Sequence, residues 1–170
     1  MSLMDIKTIP DPVLRRKAQP VSKISDETRE LIDNMVDTMR EAPGVGLAAP
    51  QVGISQRIIV VEYTTNEEEE DAPKKLYAFV NPEIKILDDE KVKGIEGCLS
   101  LPGLLGEVDR SFKVSVKGLN RQGNRIRIKA EGWLARIFQH EIDHLDGVVF
   151  TDKASRIWKP EPDEEIFDNV

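Results

Sequence analysis

The sequence predicts an α+β fold, with mainly antiparallel β-sheets packed around a helix that carries a His-Glu-x-x-His run and a second helix toward the N-terminus. Three observations lead there. Helical periodicity is confined to two stretches, one near each end of the chain. β-rich segments crowd the middle, and the order helix, many strands, helix argues for a mainly antiparallel sheet and against a doubly wound fold. No internal repeat and no long linker interrupts the order, so residues 1–170 are expected to form one domain.

The elements follow in turn. Ser25 suits an N-cap, and Asp26 and Glu27 fall in the first turn, where carboxylates oppose the helix dipole. Leu31, Ile32, Met35, Val36 and Met39 then recur at helical spacing to about Arg40, a stripe that reads as core packing. Pro43, Gly44 and Gly46 end that helix. Arg57 to Tyr63 is β-branched and strand-like. Thr64 to Lys75 contains Glu67, Glu68, Glu69, Glu70 and Asp71 in a row, and such a charge run suits a solvated loop between strands. Lys75 to Val80, Glu83 to Leu87, Phe112 to Val116 and Arg125 to Lys129 are strand-like, with Asn-Pro, Asp-Asp and Arg-Gln-Gly-Asn turn signals between them. Gly132 opens the second helix through Trp133, Leu134, Ile137, Phe138 and Ile142, with Gly147 placed to terminate it. From about residue 152 to 170, Pro160, Pro162 and several acids predict an irregular acidic tail.

Composition removes several classes of function. A net charge of -7 and a pI near 5.0 argue against a protein that tracks nucleic-acid phosphates, so no specific nucleic-acid partner is expected. No apolar run approaches the roughly 20 residues needed to cross a bilayer, so no membrane partner is expected either. Met1 to Pro20 lacks both an apolar signal core and an Arg/Ser-rich transit pattern, and the expected location is cytoplasmic. Cys98 is the single cysteine, which excludes an internal disulfide, and only two histidines are present.

Those two histidines carry the strongest signal. His140-Glu141-Ile142-Asp143-His144 places two imidazoles one turn apart, about 6 Å at the backbone, so both can reach one metal. Glu141 lies about 100° around the helix, beside a metal rather than on it, where it can handle a water's proton. A catalytic centre needs a third protein ligand. A third histidine six residues beyond His144 would be metzincin-like, but that position is Phe150. Glu161, Glu164 and Glu165 follow in a proline-interrupted tail with no helix to present them. Cys98, in Glu96-Gly97-Cys98-Leu99-Ser100, is the better candidate.

The stretch Gly44-Val45-Gly46-Leu47-Ala48-Ala49-Pro50-Gln51 superficially matches a dinucleotide fingerprint. The match fails on context, because a helix precedes it and Pro50 blocks the helix that should follow. Its small residues let the backbone run close beside another element. Gln51 is the one side chain there with hydrogen-bonding reach, able to stabilise an oxyanion or to brace the loop.

Together and in this order, Gly-x-Gly-Leu-Ala-Ala-x-Gln, Glu-Gly-Cys-Leu-Ser and Gln-His-Glu-x-Asp-His-Leu resemble the motifs of peptide deformylase, over about Ile6 to Asp152. The resemblance implies metal ligands at Cys98, His140 and His144, with Glu141 as general base and acid. It implies oxyanion donors at the Gln51 side chain and the Leu99 N–H, and an ion pair behind the ligands between Glu96 and Arg110. A methionine pocket would include Val45, Gly46, Trp133 and Ile137. The implied activity is removal of formyl from the N-terminal formyl-methionine of new polypeptides, with metal-bound water as nucleophile. One divalent ion per chain is expected, Fe²⁺ in the cell, with Zn²⁺, Ni²⁺ or Co²⁺ able to substitute; imidazole and thiolate alone do not choose among them. Ile95 stands where many relatives carry a second acid. Some relatives end in a basic helix associated with ribosome docking, whereas this chain ends in Pro160-Glu161-Pro162-Asp163-Glu164-Glu165, which leaves at most a transient ribosome contact.

Overall fold

Helix α1 (Asp26–Glu41) begins where its cap dictates: Ser25 Oγ accepts from Thr28 N at 3.3 Å, and Thr28 Oγ1 accepts from Ser25 N at 3.2 Å. The computed structural model describes residues 2–161 of the chain. Its strands are β1 (Gly46–Ala48), β2 (Ile58–Thr64), β3 (Lys74–Ile86), β4 (Lys91–Glu96), β5 (Leu105–Ser111), β6 (Lys113–Leu119), β7 (Arg125–Glu131) and β8 (Ala154–Trp158), with α2 (Gly132–Leu145) between the last two. A five-stranded sheet runs β1-β2-β3-β6-β7 and a three-stranded sheet runs β4-β5-β8. Every strand pairing within them is antiparallel.

Strand β2 shows how the layers form. Ile59 and Val61 belong to the core that α2 covers through Ile137, Phe138 and Ile142. Ile58 and Val60 point the other way, into the core that α1 covers through Ile32, Met35, Val36 and Met39. A strand buried on both faces needs a continuous apolar run, and Ile58 to Val61 supplies one. Helix α2 is in turn covered on both sides, by the five-stranded sheet and by β5 of the smaller one. Phe138 sits edge-on to Tyr77 and Phe79, with ring centroids 5.5 and 5.7 Å away. Gly147, at φ 76°, then turns the chain out of the helix.

Two expectations are corrected. Asn81-Pro82 does not separate two strands; it is a bulge inside β3, where the pairing with β6 shifts register between Val80 and Glu83. Asn81 adopts φ 53°, and its side chain bonds both Val21 N and Val21 O, so the bulge is pinned rather than opened into a turn. Nor is the end of the chain irregular throughout, because Ala154–Trp158 forms β8 on the edge of the smaller sheet. Residues 162–170, on which the ribosome expectation rests, lie outside the described residues.

Candidate metal centre

His140 and His144 lie one turn apart on α2, and Cys98 follows β4 in the turn that leads toward β5. One donor atom from each of the three lies within 4.8 Å of the others, and all three residues are buried. His140 Nε2 and His144 Nε2 are 3.2 Å apart, and Cys98 Sγ is 3.4 Å from His144 Nε2. His140 Nδ1 lies 2.9 Å from Glu96 Oε1. A carboxylate can only accept there, so Nδ1 carries the proton and Nε2 presents a lone pair. Phe150 stacks on the His140 ring, with centroids 6.2 Å apart.

These donors fit a metal. Two of their spacings, 3.2 and 3.4 Å, are close to the edges, about 3.3 and 3.5 Å, of a tetrahedron built with bonds of about 2.0–2.3 Å to nitrogen and sulfur, and the third lies within 4.8 Å. Burial pushes the Cys98 thiol up, Glu141 and Glu96 push it the same way, and the Ser100 and Leu101 N–H groups offset this only in part. A cation at the sulfur is what would make such a buried group a thiolate. Burial lowers the pKa of His144, and His140 and Arg110 act in the same direction, which keeps its ring neutral and its lone pair free.

Glu141 is fully buried, and neither of its carboxylate oxygens has a hydrogen-bond partner among the described residues. Burial, reinforced by the charge of Glu96, raises its pKa well above the usual carboxylate range. A carboxylate held this way has proton affinity to spare for a substrate or a water. Gly46 makes room for it, since an added Cβ there would stand 2.5 Å from Glu141 Oε2.

The Gln51 side chain is both brace and donor. Its Oε1 accepts from Ala48 N at 3.0 Å, which turns Nε2 toward Ser100 Oγ at 3.1 Å and Cys98 Sγ at 3.6 Å. It sits in a 3₁₀ turn, Ala49–Val52, that Pro50 helps to start. The chain near the N-terminus straps this turn to the cysteine loop through Lys7 N to Gln51 O (2.7 Å) and Ile9 N to Ser100 O (3.0 Å). Leu99 adjoins Cys98 in that loop and is partly buried.

Behind the histidines lies a charged cluster larger than the sequence reading foresaw. Arg110 grips Glu96 through both oxygens at 2.9 Å and reaches Asp143 at 2.6 Å. Burial alone would push Glu96 up, but the bonds from Arg110 and His140 together hold it well below the usual range. Arg136, which the sequence reading did not single out, adds a further bond to Glu96 at 2.6 Å. Its one signal was its place, four residues before His140 and so on the same helical face.

The residues expected to form a methionine slot come together only in part. Val45 and Trp133 are partly buried against the cluster that contains Ile137, which is itself fully buried. A cavity of about 160 Å³ opens beside Trp133, lined also by Glu67, Gly94, Phe112 and Arg136, and neither Val45 nor Ile137 lines it. A second cavity, about 210 Å³, opens beside Cys98 and Leu99. A larger one, about 470 Å³, is lined by residues of β3, β6 and β7 and by none of Cys98, His140 and His144.

The sequence profile of the polypeptide deformylase family matches residues 3–159. A peptide deformylase of Halothermothrix orenii is 55% identical over 157 residues, which cover 92% of this chain and 97% of that protein. A solved peptide deformylase of Ehrlichia chaffeensis in complex with actinonin is 43% identical with a TM-score of 0.83, covering 92% of this chain and 91% of that one. A Met-Ala-Ser-bound class I type b peptide deformylase of Acinetobacter baumannii is 40% identical with a TM-score of 0.82, covering 90% of this chain and all of that one.

Proposed function

The chain belongs to the polypeptide deformylase family, and on that basis we propose that it removes the formyl group from the N-terminal formyl-methionine of newly made polypeptides, in the cytoplasm where they are made. The observation that carries this reading is the buried convergence of Cys98, His140 and His144 beside a carboxylate, Glu141, with no other partner among the described residues. The peptide Met-Ala-Ser bound to the Acinetobacter baumannii relative has the composition of a deformylated N-terminus, which supports the substrate class.

Cys98 Sγ, His140 Nε2 and His144 Nε2 would hold one divalent ion, Fe²⁺ in the cell with Zn²⁺, Ni²⁺ or Co²⁺ as substitutes. Such an ion, when bound, supplies Lewis acidity that lowers the pKa of water toward neutrality and polarises a carbonyl. Glu141 accepts a proton from the attacking water and delivers it to the departing amine, so that water and formamide become formate and a free N-terminus. The Gln51 amide and the Leu99 N–H donate to the oxygen on which negative charge develops, a contribution of about 3 kcal/mol per donor in other hydrolases. Glu96, held by Arg110, keeps the His140 ring in one tautomer. Val45, Gly46, Trp133 and Ile137 shape the place of the methionine side chain.

Formyl-Met, acetyl-Met and unmodified peptides, incubated with metal-loaded protein, test the reading. Formate and a new amine are expected from formyl-Met alone, because an acetyl group adds a methyl where Gln51 and the Leu99 N–H crowd the carbon. Cleavage of internal bonds in the unmodified peptide would mark an endopeptidase instead. Metal uptake with no hydrolysis of any of the three would mark a non-catalytic relative.

A further inference from the structure

We propose that Arg136 is a positioning residue of the metal centre, locking the Glu96 carboxylate that orients His140. The inference deepens the deformylase reading, since it rests on Cys98, His140 and His144 holding a metal.

Glu96 is fully buried and offers four lone-pair directions. Arg110 takes one on each oxygen, His140 Nδ1 takes the second on Oε1, and Arg136 takes the second on Oε2 at 2.6 Å. Only with Arg136 in place is every direction filled. Arg110 cannot substitute, because its remaining amine is engaged by Asp143. Arg136 and His140 lie one turn apart on α2, so the carboxylate is fixed to that helix at two points instead of one.

The arginine itself has little freedom. It is 3% exposed, and the amine that bonds Glu96 also donates to Val108 O at 2.9 Å, while the other donates to Val92 O at 2.6 Å. One guanidinium therefore joins α2, β4, β5 and the carboxylate behind His140, a geometry that a planar fork satisfies and a lysine ammonium does not. Trp133 lies along it, its ring centroid 5.3 Å from Cζ. The path exists because residue 94 is glycine: an added Cβ there would stand 2.6 Å from Arg136 Cζ. Gly94 and Arg136 are thus complementary, and displacing the guanidinium from Glu96 requires only a methyl group at position 94.

The experiment loads wild type, Arg136→Met, Arg136→Lys and Gly94→Ala with Co²⁺. It reads Co²⁺ affinity by chelator competition, the Co²⁺ absorption bands, melting temperature, and kcat and KM on a formyl-Met peptide. Arg136→Met should bind Co²⁺ about 10- to 100-fold more weakly, the range typical when a group behind a ligand is lost. Its bands should shift, and kcat should fall while KM stays within about twofold. Arg136→Lys should recover part of the affinity. Gly94→Ala should reproduce the shifted bands although every charge remains, and it decides the matter if Arg136→Met does not fold. Wild-type affinity and bands in a folded Arg136→Met or Gly94→Ala, even with a lowered melting temperature, would overturn the proposal and leave only a structural arginine. Wild type that takes up Co²⁺ and releases formate keeps the deformylase reading whatever the variants do; wild type that takes up no Co²⁺ overturns both.

Discussion

Glu141 and Gly46 face each other so closely that an added Cβ at residue 46 would stand 2.5 Å from Glu141 Oε2. Gly46→Ala should therefore displace the carboxylate without touching a ligand. Metal content is expected to stay at the wild-type level while kcat falls at least tenfold; an alanine variant with wild-type kcat would mean the carboxylate is free to move aside. Glu141→Gln isolates the proton itself. The amide keeps the shape and loses the acceptor, so turnover should drop by about 10²–10⁴-fold with metal retained. Parallel loss of metal and activity would make Glu141 a ligand. At this scale the sequence was legible where spacing forces proximity, as in His140 and His144. It was silent on Arg136, because an arginine on an amphipathic helix is ordinarily exposed and only the fold reveals that Glu96 lies opposite.

Elements were legible in proportion to how far their own composition decided them. Helix α1 has a capping box and an apolar stripe, and the expected start at Ser25 and end near Arg40 lie close to the observed bounds, Asp26–Glu41. β4 and β5 carry Gly94 and Gly106 among charged residues and do not stand out as strands in the sequence, since tertiary pairing rather than propensity makes them so. Both glycines serve close approach, of Arg136 in one case and of Phe150 in the other. β8 escaped notice for a similar reason: it is short, largely exposed and held at a sheet edge. The acidic loop joins β2 to β3 and is closed at its base by Thr65 N to Pro73 O at 2.9 Å. Replacing residues 67–71 by a short turn should leave kcat/KM within a few fold, because that base survives. Glu67 approaches Gly132 and lines the cavity beside Trp133, so a collapse of activity in a folded variant would make the loop a substrate contact. The face of α2 that bears Trp133 and Ile137 invites a separate comparison. A buried methionine side chain gains roughly 1.5–3 kcal/mol, about tenfold or more over alanine. Ile137→Ala should lower the kcat/KM ratio of formyl-Met to formyl-Ala peptides and leave rejection of acetyl-Met intact. An unchanged ratio would move the slot toward the cavity lined by Gly94 and Arg136.

Across the whole molecule, the proposed ligands come from two places that the fold brings together. Cys98 belongs to the turn after β4, and both histidines belong to α2, which packs between the sheets. A metal shared among them would tie the smaller sheet to the central helix. A ligand at 1,000 times its dissociation constant adds roughly 4 kcal/mol to the folded state. For a chain of this length that corresponds to a melting temperature on the order of 10 °C higher than that of the metal-free protein. The most direct measurement uses the same metal-free protein: titrate it with Fe²⁺ under anaerobic conditions and follow formate release from a formyl-Met peptide. The expected result is no release without metal, a linear rise, and a sharp break at one equivalent per chain. Formate release by the metal-free protein, or a rise that continues well past one equivalent, would contradict a single catalytic ion held by Cys98, His140 and His144.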